Sequence, residues 1–321
     1  MTSKDEGYCI LPDMKRQHLI MRGKKRFGQH FLKDSVVLQK IVDTIDPTMQ
    51  DTIIEIGPGR GVLTEMLLPQ CQKLIGVEID NDLIPVLTEK FRNYSHFELI
   101  HKDILRFDPI LYCDPAGSVH LTGGDSGSLQ DHHRFPNRSR MKDEKISNVK
   151  RGGYKLVGNI PYNLTTKLFE HIMLWEYQPS AITFLIQKEV GEKMVKKGNK
   201  NSPLAVCVDM IGEAKLVLQV PPRSFHPPPK VDSVLIHVDC SKAKTPVVGG
   251  LESLGEMRWK FYDFAHKIFR MGRKTIYNNL QSLMTKEEAK RILEKIGLNP
   301  MLRPEQVHFE QLYDLYQIYN E

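Results

Sequence analysis

Apolar residues over the first 240 positions of the chain follow two alternating rhythms. Short β-rich runs occupy Thr52–Ile56, Leu74–Ile79, Phe97–Ile100, Lys155–Gly158 and Ala181–Ile186. Between most of them apolar residues recur at helical spacing, over Ser35–Ile45, Val62–Leu68, Leu83–Phe91 and Thr165–Trp175. Strands that alternate with amphipathic helices predict βαβ units, and therefore an α/β fold with a mainly parallel, doubly wound sheet. Two further runs, Lys215–Val220 and Ser233–Val238, flank the stiff segment Pro221-Pro222-Arg223-Ser224-Phe225-His226-Pro227-Pro228-Pro229. They predict a closing antiparallel pair, which makes a seven-stranded Rossmann-like sheet.

The rhythm changes after Asp239. A Lys/Gly/Pro linker, Ser241–Gly250, leads into Met257–Phe269, Arg273–Leu283, Lys286–Ile296 and Pro304–Tyr319, all with helical spacing and no strand pattern. Gly297-Leu298-Asn299-Pro300 reads as a helix stop. The expected organisation is a basic extension (1–24), an α/β domain (25–240) and a small all-helical domain (251–321). The stretch Asp114–Arg151, rich in Gly, Ser, His, Asn and Arg, carries little apolar periodicity. A loop of that length predicts a disordered insertion over 114–151, with an RNA-contacting arm as the alternative.

Charge sharpens this picture. The net charge of +6 is modest for 321 residues, but the cations are clustered. Met14 to Lys33 holds seven Lys/Arg and no acid, with Lys24, Lys25 and Arg26 adjacent. Arg258 to Lys274 holds six Lys/Arg, Arg270, Arg273 and Lys274 among them, against the single acid Asp263. Two basic patches on a near-neutral body suit a polyanion. Five cysteines, an odd number with no C-x-x-C pair, argue against a disulfide framework and a zinc site and fit a reducing compartment such as the cytoplasm. His132-His133 lacks further spaced ligands, so no metal is expected. No apolar run reaches eighteen residues, and the N-terminus has no apolar h-region; a membrane span and a secretory signal are not expected. Asp5, Glu6 and Asp13 argue against an organelle transit peptide. No interface-sized apolar stripe stands out, and a monomer is expected.

Two segments carry chemistry. Glu55-Ile56-Gly57-Pro58-Gly59-Arg60-Gly61 follows a strand and opens a helix, where glycines admit a ligand close to the backbone. A dinucleotide fingerprint would need a third glycine at the position of Val62. S-adenosylmethionine, which has no phosphate, tolerates the observed spacing. Glu78, ending the next strand, can take both hydroxyls of an adenosine ribose. Asp103, after the third strand, can accept from an adenine amino group. The second segment is Asn159-Ile160-Pro161-Tyr162, at the end of the fourth strand. An Asn carboxamide oxygen and a nearby backbone carbonyl can each accept an N–H of an exocyclic amine, while a Tyr ring stacks on the base. Phe225, in the Pro-rich hairpin, is the expected cover for the other face of that base. The combination points to an amino-group methyltransferase acting on a nucleobase.

With these residues in view, the chain resembles the KsgA-type ribosomal RNA small-subunit adenine dimethyltransferases. The likeness runs through Lys25-Arg26-Phe27-Gly28-Gln29-His30-Phe31-Leu32, the Gly57 loop, Gly158-Asn159-Ile160-Pro161-Tyr162-Asn163 and Gln187-Lys188-Glu189-Val190. It continues in Val220-Pro221-Pro222, Phe225, Pro227 through Ser233, and Arg273-Lys274-Thr275. The resemblance implies cofactor contacts at His30, Leu32, Gly57, Glu78, Asp103 and Asn159, and N6,N6-dimethylation of adenines in immature small subunits. Three departures stand out: His30 where the family usually has Asn, Gly272 where it often has a second Arg, and the long 114–151 insertion. The Erm resistance methyltransferases, which act on large-subunit RNA, share the Asn-Ile-Pro-Tyr-Asn signature. The Gln187–Val190 segment and the helical tail look less like Erm. A ribosome-assembly or mitochondrial transcription factor on the same fold is the non-catalytic alternative.

Overall fold

A computed structural model describes residues 30–113, 153–196, 198, 200–244 and 254–320. The basic residues Lys24, Lys25 and Arg26, the insertion 114–151 and most of the linker lie outside the described residues.

In chain order, β1 (Phe31–Leu32), α1 (Ser35–Ile45), β2 (Thr52–Ile56), α2 (Val62–Leu67), β3 (Lys73–Glu78), α3 (Ile84–Phe91) and β4 (Phe97–His101) precede the insertion. After it come β5 (Tyr154–Asn159), α4 (Thr165–Leu174), β6 (Ala181–Gln187), α5 (Lys188–Met194), α6 (Pro203–Ile211), β7 (Glu213–Val220), β8 (Phe225–His226) and β9 (Ser233–Asp239). Seven strands form one sheet in the order β4-β3-β2-β5-β6-β9-β7. The pairs from β4 to β6 are parallel, and β9 joins β6 and β7 antiparallel. The expected α/β fold, its strand count and its closing antiparallel pair are thus observed.

Side chains alternate across the strands, as the pleat requires. Ile53, Val157, Leu185 and Leu235 face one core beneath α1 to α3. Ile54, Leu156, Phe184 and Ile236 face a second core. That second core also holds Phe261, Ile276, Leu293 and Leu312 of the C-terminal helices α7 (Leu254–Ile268), α8 (Ile276–Leu280), α9 (Lys286–Lys295) and α10 (Phe309–Asn320). The helical tail therefore shares a continuous core with the sheet.

Some boundaries differ from those expected. The segment Arg273–Leu283 is helical only over Ile276–Leu280. The Asn279 side chain occupies the backbone groups of Met271, Lys274 and Thr275, which holds the preceding residues in a turn. Helices α5 and α6 and the two-residue ribbon β1–β8 were not anticipated. In that ribbon Phe31 pairs with His226 and Leu32 with Phe225. Asp34 secures it by capping α1 through Val36 N and accepting from Ser224 Oγ at 2.8 Å.

Candidate active site

In the parallel register Glu55 lies beside Gly76 and Val157, and β2, β3 and β5 end at one edge of the sheet. Polar residues at successive strand ends therefore converge, as they do at the carboxyl edge of open α/β sheets. There they enclose a cavity of about 530 Å³. His30, Leu32, Gly57, Gly59, Glu78, Asp103 and Asn159 to Tyr162 all line it.

The glycine loop fits a ligand on two counts. Gly57 and Gly59 have φ of +64° and +63°, a region that side chains disfavour. A Cβ on Gly59 would meet Phe31 at 3.2 Å, whereas one on Gly57 would meet nothing within 4 Å, so Gly57 fronts open space. Glu78 is 3% exposed and its carboxylate gathers three backbone N–H groups, from Gly59 at 3.1 Å and from Ile79 and Asp80 at 2.9 Å. Burial raises its pKa, and those hydrogen bonds partly offset the rise. Asp103 uses Oδ1 to cap a 3₁₀ turn at Leu105 N. It serves both as a cap and as part of the cavity wall.

Glu55 is a further acid of this site, one that the sequence motif alone does not single out. It is 2% exposed, lines the cavity, and accepts from Thr64 Oγ1 at 2.6 Å. Burial first, and the neighbouring Glu78 charge second among the raising causes, lift its pKa to about 7. Two buried carboxyl groups beside a glycine loop disfavour a pyrophosphate. The signal available in the sequence was a lone acid inside the apolar strand Thr52-Ile53-Ile54-Glu55-Ile56.

Asn159 ends β5, and its Nδ2 donates to the His30 carbonyl at 2.7 Å. A carbonyl can only accept, so this bond fixes which end of the carboxamide is nitrogen and leaves Oδ1 to accept. Ile160 is 1% exposed, and its side chain belongs to the core. Tyr162 is half-buried, and its hydroxyl meets Ser233 Oγ at 2.6 Å. Burial raises the phenol pKa, with the Ser233 hydrogen bond opposing, so the ring is neutral near pH 7.

Two expectations need correction. Phe225 does not line the cavity; it is 1% exposed and packs in the core with Leu32, Val37 and Leu235. Alternation along β8 turns Phe225 inward and leaves His226 on the cavity side. Arg258 cannot meet a phosphate. It is fully buried, on the face of α7 that also carries Phe261, Tyr262 and Ala265, and its Nη1 donates to the Met173 carbonyl at 3.1 Å. Lys260 and Lys267 are paired with Glu256 and Asp263. Arg270, Arg273 and Lys274 are exposed on the turn that Asn279 holds. Asn279, itself 0% exposed, was not anticipated as part of that surface.

Comparison with known proteins now decides the family. The profile of the ribosomal RNA adenine dimethylases matches residues 20–321. The chain belongs to the ribosomal RNA adenine dimethylase family. Membership makes it an S-adenosylmethionine-dependent methyltransferase with ribosomal RNA as its substrate. Among curated relatives, ribosomal RNA small subunit methyltransferase A of Clostridium botulinum (strain ATCC 19397 / Type A) is 32% identical over 89% of this chain and 90% of its own length. The protein of the same name from Dehalococcoides mccartyi is 32% identical over 94% and 90%. A dimethyladenosine transferase from Plasmodium falciparum superposes with a TM-score of 0.63 at 22% identity, covering 91% of this chain and 98% of that one. The 23S rRNA methyltransferase ErmE gives 0.60 at 21%, over 91% and 100%. At these identities the two structures speak for the fold alone. Among the described residues no helix is long and apolar enough to cross a membrane, and no cluster of three metal-ligating side chains occurs.

Proposed function

We propose that this dimethylase converts adenines of small-subunit ribosomal RNA to N6,N6-dimethyladenine, acting as a monomer on immature subunits in the cytoplasm. The observation that carries the reading is the orientation of Asn159, whose amide nitrogen is committed to His30 so that its oxygen is left to accept from an amine at the cavity wall. The small-subunit assignment is supported by the two bacterial relatives, which carry that activity in their names.

S-adenosylmethionine supplies an electrophilic methyl on a sulfonium. Glu78 would hold the ribose hydroxyls, Asp103 the adenine amino group, and the Gly57–Gly59 backbone the space between. Oδ1 of Asn159 and the Ile160 carbonyl would each accept one N6–H of the target adenine. Those bonds favour a tetrahedral nitrogen and aim its lone pair away from the ring, toward the methyl. Transfer would break the methyl–sulfur bond and release S-adenosylhomocysteine; the attacked nitrogen would become cationic and therefore acidic, and its proton would pass to solvent without a strong base. Positioning would supply most of the acceleration, potentially ~7–11 kcal/mol for an aligned pair. Tyr162 stacks on one face of the base. The tail 251–321 with Arg270, Arg273 and Lys274, and the basic N-terminal segment with Lys24, Lys25 and Arg26, would hold phosphates and supply salt-dependent affinity.

The test is methyl transfer from labelled S-adenosylmethionine to immature small subunits, large subunits and naked RNA, with Asn159→Ala as control. Dimethyladenine in small subunits only, abolished in the variant, is the expected result. Label on naked large-subunit RNA would assign the Erm-type activity instead.

A further inference from the structure

With Phe225 withdrawn into the core, the face of the base opposite Tyr162 lacks its expected cover. Among the described residues, the ring that faces Tyr162 is that of His30. The two ring centroids are 6.0 Å apart and the ring planes differ by 28°. Both side chains line the cavity that Asn159 shares.

His30 is pinned at both ends. Its carbonyl receives the Asn159 amide at 2.7 Å. Its Nδ1 lies 2.7 Å from the Pro227 carbonyl, which can only accept, so Nδ1 carries the proton and donates. Tyr162 is pinned through Ser233. Two aromatic rings, each held by a hydrogen bond to the Pro-rich hairpin or the strand that follows it, stand near-parallel in the cavity that Asn159 also lines. Two rings that sandwich a flat base at ~3.5 Å per gap stand ~7 Å apart, so the observed spacing needs to open by ~1 Å.

We infer that the His30 imidazole is the second wall of the adenine seat, stacking on the target base opposite Tyr162. This goes beyond a cofactor contact at His30, and it rests on the adenine substrate proposed above. It also gives the residue two roles: its carbonyl orients Asn159 and its ring clamps the base. The backbone role survives any substitution, whereas the ring role does not.

Three variants separate the possibilities: His30→Ala removes the ring, His30→Phe keeps an aromatic face without the Pro227 bond, and His30→Gln keeps a donor without a ring. Each is assayed for steady-state methylation of immature small subunits and for binding of S-adenosylhomocysteine by calorimetry. Base–aromatic stacking is worth ~1–3 kcal/mol, so Ala and Gln should lower kcat/KM for the RNA by about 5- to 150-fold. Phe should recover most of that loss, and cofactor-product affinity should stay within about twofold in all three. RNA turnover unchanged in Ala and Gln would overturn the proposal. So would a loss of S-adenosylhomocysteine affinity that matches the loss of turnover, because His30 would then serve the cofactor. If wild-type protein places no methyl on adenine at all, the adenine reading falls instead.

Discussion

Glu55 offers a quantitative test of the electrostatics at this site. The substitution Glu55→Gln keeps an acceptor for Thr64 Oγ1 and removes the charge. In the folded chain the Glu55 pKa stands at about 7 against 4.5, chiefly because the carboxylate is buried. The unfolded chain therefore releases this proton earlier than the folded one as pH rises. With fewer protons bound in the unfolded state, stability falls from about pH 4.5 upward and levels off above about pH 7. The rise from 4.5 to about 7 corresponds, at ~1.36 kcal/mol per tenfold, to a total cost of ~3 kcal/mol. About 1 kcal/mol of that is already incurred at pH 5.5, which leaves ~2 kcal/mol to develop by pH 8. Glu55→Gln avoids the cost, and relieves the repulsion on Glu78 as well. Denaturant unfolding of both proteins between pH 5.5 and 8 is the assay. The stability advantage of the variant should grow by ~2 kcal/mol toward pH 8. An advantage that stays constant with pH would refute the reasoning, since it would mean that Glu55 titrates alike in both states.

Three further outcomes follow from the same structure. Glu78→Ala removes the acceptor for Gly59, Ile79 and Asp80 together with the proposed ribose contact. At ~1.5–3 kcal/mol for a charged hydrogen bond, S-adenosylmethionine affinity measured by calorimetry should drop by at least tenfold; an unchanged Kd would remove Glu78 from the cofactor site. Asn279→Ala strips the buried side chain that ties Met271, Lys274 and Thr275. It should cost ~1–3 kcal/mol in unfolding experiments and weaken RNA binding without changing affinity for S-adenosylmethionine. Replacing Arg270, Arg273 and Lys274 with Ala together should weaken RNA binding about equally across sequences. The slope of log affinity against log salt should fall by ~2–3, and a slope that does not move would place the RNA elsewhere.

Much of this protein was legible along the chain because its signals are local. A strand shows as a short apolar run, and α1 and β2 begin and end where the periodicity of Ser35–Ile45 and Thr52–Ile56 said they would. The spacing of polar strand ends placed Gly57, Glu78, Asp103 and Asn159 in order, and the parallel register then carried them to one edge. What remained hidden depends on partners far apart in sequence. Pairing of β1 with β8, nearly two hundred residues away, sends Phe225 into the core and brings His30 to the Tyr162 ring. Arg258 and Arg270 look alike as letters in one basic run. Packing against α4, where it donates to the Met173 carbonyl, buries the first, whereas the second stays exposed. The charge of Glu55 is likewise set by tertiary structure, because its pKa follows from burial and from Glu78 on the neighbouring strand. Periodicity and spacing are properties of the chain itself, so the sequence determined the sheet, its helices and the polar strand ends. Which side chain faces a ligand, and with what charge, depends on contacts that exist only once the chain is folded.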